Sequence, residues 1–179
     1  MGSTSPIVEI AGWLHSYASN SFSVEAAYYN SPIGSLRVTA NEQGLTGIYY
    51  PQETEEANSS ESLPSNPHIK SAFRELELYF EGALDRFQTP LDAAGTPFQK
   101  SVWAALSQLP FGTTVSYGAI AERIGNPKAS RAVGLANNRN PISIIVPCHR
   151  VIGKSGKLVG YGGQVWRKEW LLKHEGILL

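Results

Sequence analysis

The formal charge of this chain changes sign halfway along it. Residues 1–94 hold 4 Lys+Arg against 12 Asp+Glu, a net of −8, while residues 95–179 hold 11 against 3, a net of +8. The overall charge of zero therefore conceals two halves of opposite sign. This points to two lobes, 1–94 and 95–179, divided within residues 89–96, where Pro90 and Gly95 interrupt regular structure. A basic half can bind a polyanion, so nucleic acid or another anionic surface is the favoured partner, although attraction between two lobes would give the same pattern.

At 179 residues, 42% hydrophobic and 17% charged, the chain can bury a real core. No run approaches the roughly 18 apolar residues of a membrane span. The N-terminus lacks the basic flank and apolar run of a secretory leader. The expectation is an intracellular protein without a membrane partner. A single cysteine excludes an internal disulfide and a Cys-rich zinc cage, and His15, His68, His149 and His174 show no ligand spacing, so no metal or cofactor is expected.

Residues 1–20 are expected to be partly disordered. The pattern from Phe22 is β: residues 23–29 are rich in strand formers, Asn30-Ser31-Pro32-Ile33-Gly34 is turn chemistry, residues 36–40 alternate, and residues 47–50 follow a second turn. A small antiparallel meander follows. Residues 53–67 are acidic, Ser/Asn/Pro-rich and aperiodic, which predicts a solvated loop. Ile69, Phe73, Leu76, Tyr79 and Phe80 then recur at helical spacing up to Gly82, one amphipathic helix over the sheet.

Beyond Gly95 the pattern is helical. Thr96 can cap a helix with Pro97 at its first position and Phe98, Val102, Trp103 and Leu106 on one face. Ser116 caps a short helix that Gly125 stops, and Asn126 with Pro127 opens a second helix running to about Asn138. That is helix-turn-helix spacing. Residues 142–146, short, β-branched and continuous, are expected to be a buried extended segment delivering Pro147-Cys148-His149-Arg150. Residues 165–174 form a last helix with Gly176 as stop. The fold class is α+β, a small N-terminal antiparallel-sheet lobe plus a helical C-terminal lobe with a helix-turn-helix.

A lone cysteine is ordinarily an inert buried hydrophobe. Cys148, however, directly precedes a histidine in the basic half, with Arg150 beyond. Such a setting pulls a thiol from about 8.5 into the range of roughly 3.5–7.5, so a reactive thiolate is expected, a soft nucleophile suited to an alkyl carbon.

Pro147-Cys148-His149-Arg150-Val151-Ile152-Gly153 resembles the acceptor motif of the O6-alkylguanine-DNA alkyltransferases, also called methylated-DNA-protein-cysteine methyltransferases. The resemblance extends through Gly95-Thr-Pro-Phe-Gln99, Val115-Ser-Tyr117, Gly125-Asn-Pro-Lys128, Arg131-Ala-Val-Gly134, Asn140-Pro141, Gly160-Tyr161 and the run from Arg167 to Gly176. It thins out in residues 1–94 to Ser31-Pro-Ile-Gly34 and Tyr79-Phe80-Glu-Gly82, where it implies a ribonuclease-H-like lobe.

The resemblance implies a single-turnover DNA repair enzyme that moves an alkyl group from O6 of guanine to Cys148 for good, since a thioether offers water no carbonyl to attack. It makes His149 the base, acting through a water and oriented by Glu175, although a carboxylate beside Gly176 could equally lie at the surface. Asn140 braces the acceptor loop. Tyr117 donates to the ring N3, and Val151, Tyr161, Gly162 and Gly163 hold the base. Lys168 matches a lysine near the family's pocket, but a helical lysine is ordinarily solvated and ranks below the others.

A paired guanine must leave its stack for this chemistry. Arg131 fills the gap by resemblance, while Ala129, Ser130, Ala132 and Gly134 let the helix approach the minor groove, with Lys128 beside them. The implied partner is double-stranded DNA carrying O6-alkylguanine, in cytoplasm or a eukaryotic nucleus, with no obligate protein partner; activity on O4-alkylthymine and cooperative assembly on DNA stay open. The alternatives are a non-catalytic helix-turn-helix DNA-binding protein, a sensor of alkylated DNA and, least favoured, a Cys-His-Glu hydrolase.

Overall fold

The computed structural model describes residues 23–51, 63–158, 161–162 and 164–177. The expected leader over 1–20 and the acidic loop up to residue 62 lie outside these residues. Strands β1 (Glu25–Ser31), β2 (Gly34–Ala40) and β3 (Leu45–Tyr49) form an antiparallel meander in that order. Gly34, at φ +105°, closes the first turn in a conformation open to glycine. Leu36, Val38, Ala40, Leu45 and Ile48 are fully buried. Helix α1 (Pro67–Phe80) covers them with Ile69, Ala72, Leu76 and Tyr79. Asn66 caps it by accepting from the backbone N–H groups of His68 and Ile69, and Gly82 turns left-handed just beyond its end.

The C-terminal lobe begins with α2 (Pro97–Ser107), where Thr96 and Gln99 complete a capping box. Its Trp103 Nε1 donates to the Ala136 carbonyl at 2.9 Å, tying α2 to the helix over Ser130–Asn138. β4 (Val115–Ser116) leads into α3 (Tyr117–Arg123), capped by Ser116 and stopped by Gly125 at φ +74°. Helix α4 (Ser130–Asn138) follows. Then come one 3-10 turn (Cys148–Arg150), β5 (Val151–Ile152) and α5 (Val165–His174). Among the described residues no helix is long and apolar enough to cross a membrane.

The free edge of β3 joins the lobes. Leu45 N–H donates to Pro90 O at 2.8 Å, and Ile48 N–H donates to Pro141 O at 2.8 Å, so the segment between the lobes and the approach to Cys148 cover an edge that would otherwise be exposed. One hydrophobic cluster runs through both lobes.

Two local expectations are corrected. Asn126 and Pro127 do not open α4: the Ala129 N–H donates to Asn126 O at 2.9 Å in a turn, and the helix starts at Ser130 with no side-chain cap. Pro127 suits the second position of a turn as well as the first of a helix, so the local signal is ambiguous. Residues 142–146 are buried but not extended. Val146 N–H donates to Ile142 O at 3.0 Å, and Ile144 is held at φ +73°, costly for a β-branched residue.

Thr96→Ala removes the capping box at the start of α2. It is expected to lower the unfolding free energy by about 1 kcal/mol with the urea m-value unchanged. A midpoint matching the parent protein would show that the cap contributes nothing.

Candidate active site

Parallel pairing of β4 with β5 sets the start of α3 beside the end of the Cys148 turn. This two-residue ladder, invisible to periodicity, brings Tyr117 to the thiol. Asn140 shapes the approach from the other side: its Oδ1 accepts from Ile142 N–H at 3.0 Å and its Nδ2 donates to Val146 O at 2.8 Å. These bonds fold residues 142–146 into the buried turn. The Asn140 side chain also favours the ionised form of the thiol.

Cys148 is 4% exposed. Burial pushes its thiol up, and Asn140, the Lys168 charge and the backbone N–H groups of Cys148 and His149 offset this only in part. The expected resting thiolate is thus corrected to a protonated thiol. Desolvation outweighs the cations that the sequence displays.

A buried imidazole lies next in the chain. His149 is fully buried, and its Nε2 lies 2.7 Å from Glu175 Oε1. A carboxylate only accepts, so Nε2 carries the proton and Nδ1 the lone pair. That Nδ1 is one of two buried side-chain polar atoms without a hydrogen-bond partner among the described residues, the other being Asn137 Oδ1. Burial holds His149 below its ordinary value, with Glu175 opposing and Arg150 and Lys168 reinforcing.

Glu175 is 5% exposed, which removes the surface alternative. Oε1 accepts from Tyr79 Oη at 2.8 Å and Arg150 Nη2 at 3.0 Å besides His149, while Oε2 accepts from Arg150 Nε at 2.9 Å and Gly112 N–H at 3.1 Å. Burial alone would raise the carboxyl, but hydrogen bonds and charge from His149 and Arg150 hold it at about 2. Arg150 and Tyr79, assigned no role from sequence, are therefore part of the site. Arg150 was visible in the motif, whereas Tyr79 reads only as one turn of an apolar stripe.

Lys168 is corrected from a solvated cation to a fully buried one, its Nζ donating to Val151 O at 2.6 Å. Burial lowers it to about 8 while the Cys148 charge opposes. Val151 is buried beside it. Tyr161, 8% exposed, shares a 2.9 Å hydroxyl contact with Tyr50, at the end of β3. Tyr50, Tyr117 and Tyr161 are raised first by burial, and the nearby Cys148 charge contributes to each. Gly162 lies near Asn138, while Gly163 is outside the described residues.

The predicted DNA-contact residues lie apart, on the outer side of α4 and the turn before it. Lys128, Arg131 and Ala132 are exposed; Ala129, Ser130 and Gly134 are half-buried, and a Cβ on Gly134 would meet Tyr117 Cδ1 at 3.8 Å. The described residues contain no group of three or more His, Cys, Asp or Glu able to hold a metal.

Two family models match the chain: 6-O-methylguanine DNA methyltransferase, ribonuclease-like domain, over residues 24–93, and its DNA binding domain over residues 97–177. A methylated-DNA–protein-cysteine methyltransferase of Methanosarcina acetivorans is 52% identical, covering 84% of this chain and 97% of its own. One from Mycobacterium leprae is 51% identical, with 82% and 88% covered. The structure of Mycobacterium tuberculosis OGT in complex with DNA is similar with a TM-score of 0.74 at 47% identity, covering 84% of this chain and 91% of that one.

The shifts fix the acid response. Glu175 lies near 2 when folded against an ordinary 4.5, so its stabilisation is complete above about 4.5 and lost as pH falls toward 2. His149 is held below its ordinary 6.5, so its protonation also favours the unfolded chain as pH falls below that value. Urea titrations from pH 7 to pH 3 are expected to show both losses, with about 2 kcal/mol of the Glu175 contribution gone by pH 3. Glu175→Gln should abolish the lower step and cost about 3–5 kcal/mol at pH 7, because Arg150 loses its counter-charge. A profile flat over this range would contradict the assignment.

Proposed function

The chain belongs to the 6-O-methylguanine DNA methyltransferase family, and on that premise we propose that its repair of DNA by alkyl transfer to cysteine uses Cys148 as the acceptor. The arrangement of Cys148, His149 and Glu175 carries this reading: a thiol that rests protonated, followed by a neutral imidazole with its Nδ1 uncommitted and its Nε2 anchored to a buried carboxylate.

Sγ attacks the alkyl carbon as the bond from that carbon to O6 breaks, and the electron pair passes to the guanine oxygen. His149 Nδ1 receives the thiol proton through a water and gives it up to solvent, while the released guanine takes up one proton from solvent at its ring. The exchange is therefore balanced, alkyl moving one way and a proton the other. Tyr117 donates to the base, Lys168 adds positive charge beside the forming thiolate, and Val151, Tyr161, Gly162 and Gly163 hold the base. Asn140 keeps the acceptor turn in register. The thioether product resists hydrolysis, so each molecule reacts once.

The substrate is double-stranded DNA carrying O6-alkylguanine. M. tuberculosis OGT, similar over most of the chain, has been solved in complex with DNA. The exposed face of α4 suits a minor groove: Arg131 enters the stack where the guanine leaves, and Ala129, Ser130, Ala132 and Gly134 permit close approach with Lys128 at the phosphates. We place the lobe boundary between residues 94 and 95 and the protein in the cytoplasm, or the nucleus of a eukaryotic cell.

Intact-mass analysis after incubation with an O6-methylguanine duplex is expected to find one added methyl, on the Cys148 peptide, and none on Cys148→Ser. An unmodified parent protein that still binds the duplex would instead indicate a sensor. Arg131→Ala should slow repair of duplex at least about tenfold, ~1.4 kcal/mol, while sparing reaction with free O6-methylguanine. Equal losses on the two substrates would remove the extrusion role. Duplex affinity should fall linearly with salt on a log–log plot.

A further inference from the structure

We propose that Tyr79, on α1 of the N-terminal lobe, is a positioning residue for the Cys148 reaction, its hydroxyl holding the same Glu175 oxygen that receives the His149 Nε2 proton. The proposal rests on the reading of His149 as the base serving Cys148. Tyr79 Oη lies 2.8 Å and His149 Nε2 2.7 Å from Glu175 Oε1. Two lobes thus meet on one atom, and the N-terminal lobe helps to set the orientation of the imidazole and the strength of its bond to the carboxylate.

Packing alone does not call for the hydroxyl. Tyr79 is fully buried, with ring centres at 5.3 Å from Phe80 and Phe87, 6.1 Å from Phe111 and 5.1 Å from His174. Phenylalanine would fill that space, and a hydroxyl in such surroundings is costly unless it is bonded. The other buried residues of the same helix face are Ile69, Ala72 and Leu76. Tyr79 is also fixed at its backbone, where its carbonyl meets His174 Nε2 at 2.7 Å.

The hydroxyl competes with the imidazole. With three donors on Oε1, each draws on the same lone pairs, so removing one strengthens the others. Without the Tyr79 hydroxyl, Glu175 binds the His149 proton more tightly, and the imidazolium becomes easier to form. The charged and titratable groups around this cluster are Arg150 and Cys148 on the acceptor turn, Lys168 and His174 on α5, Tyr50 at the end of β3 and Tyr161. A substitution at Tyr79 removes none of them. Burial and the Glu175 charge push the Tyr79 hydroxyl far above its ordinary range, so it stays a donor.

Two full-length variants test this in opposite directions, Tyr79→Phe, without the donor, and 3-fluorotyrosine inserted at position 79, a more acidic phenol and a stronger donor. In the DNA-free protein the His149 Nε2–H proton resonance should move downfield in Tyr79→Phe and upfield with fluorotyrosine. The His149 protonation midpoint should rise by about half to one unit in the first and fall in the second, with the acid limb of the transfer rate following. A side chain that only packs leaves the resonance and midpoint at their parent values whatever happens to the melting temperature, and that result overturns the proposal. If Tyr79→Phe does not fold, the fluorotyrosine shift decides. If no alkyl reaches Cys148, the functional reading fails, while the His149 resonance still decides the role of Tyr79.

Discussion

A carboxylate taken out of water needs every lone pair answered, and Glu175 meets that demand only when four separate stretches of chain converge. Its donors come from α1, from the loop at Gly112 and from the acceptor turn, while Glu175 itself ends α5. Leaving such a charge unpaired costs several kcal/mol. Arg150 carries the constraint one step further, its Nη1 donating to Leu109 O at 2.6 Å just beyond α2. Docking of the lobes and assembly of the site are therefore one event, and the chemistry inherits the rigidity of the core.

The same arrangement governs reactivity. Burial, reinforced by the Arg150 and Lys168 charges, keeps His149 from becoming a permanent cation, and burial keeps Cys148 from being a permanent thiolate. Oxidants and small electrophiles attack exposed thiolates. A thiol that is 4% exposed and held protonated by burial is guarded against both. A protein consumed by a single reaction gains from a nucleophile that becomes active only with its substrate in place.

Local chemistry was legible in the sequence. Thr96-Pro97 with Gln99, Ser116 before α3, and Gly82, Gly125 and Gly176 mark element ends because caps and left-handed glycines act within a few residues. The acceptor motif likewise set Cys148 beside His149, and the run from Arg167 to Gly176 offered Glu175, whose Oε1 lies 2.7 Å from His149 Nε2. Reading failed where a partner lies far along the chain. Residues 142–146 have strand propensity, but Asn140 supplies bonds that turn them, and Ile144 adopts φ +73° as a consequence. Lys168 looks like any helical lysine until the Val151 carbonyl is set against it. Tyr79 and Glu175 are 96 residues apart, and no periodicity relates them.

The division of charge along the chain admits two uses, attraction between lobes or attraction of a polyanion, and the contacts favour the second. The described ion pairs, His149–Glu175, Arg150–Glu175 and Lys173–Glu169, lie within the C-terminal lobe. Where Arg167 crosses to the other lobe, it donates to Ile33 O at 2.9 Å and lies 4.3 Å from the centre of the Tyr50 ring. Docking at the β3 edge uses backbone hydrogen bonds, with isolated parallel β-bridges at Leu45–Leu91 and Ile48–Ile142. Arg150 and Lys168 are internal, but Arg123, Lys128, Arg131, Arg139, Lys154 and Lys157 are exposed. A field from these side chains, with an acidic lobe behind it, both draws a phosphate backbone and limits the face on which it can land. Such a field acts at long range and needs no contact to orient a polyanion.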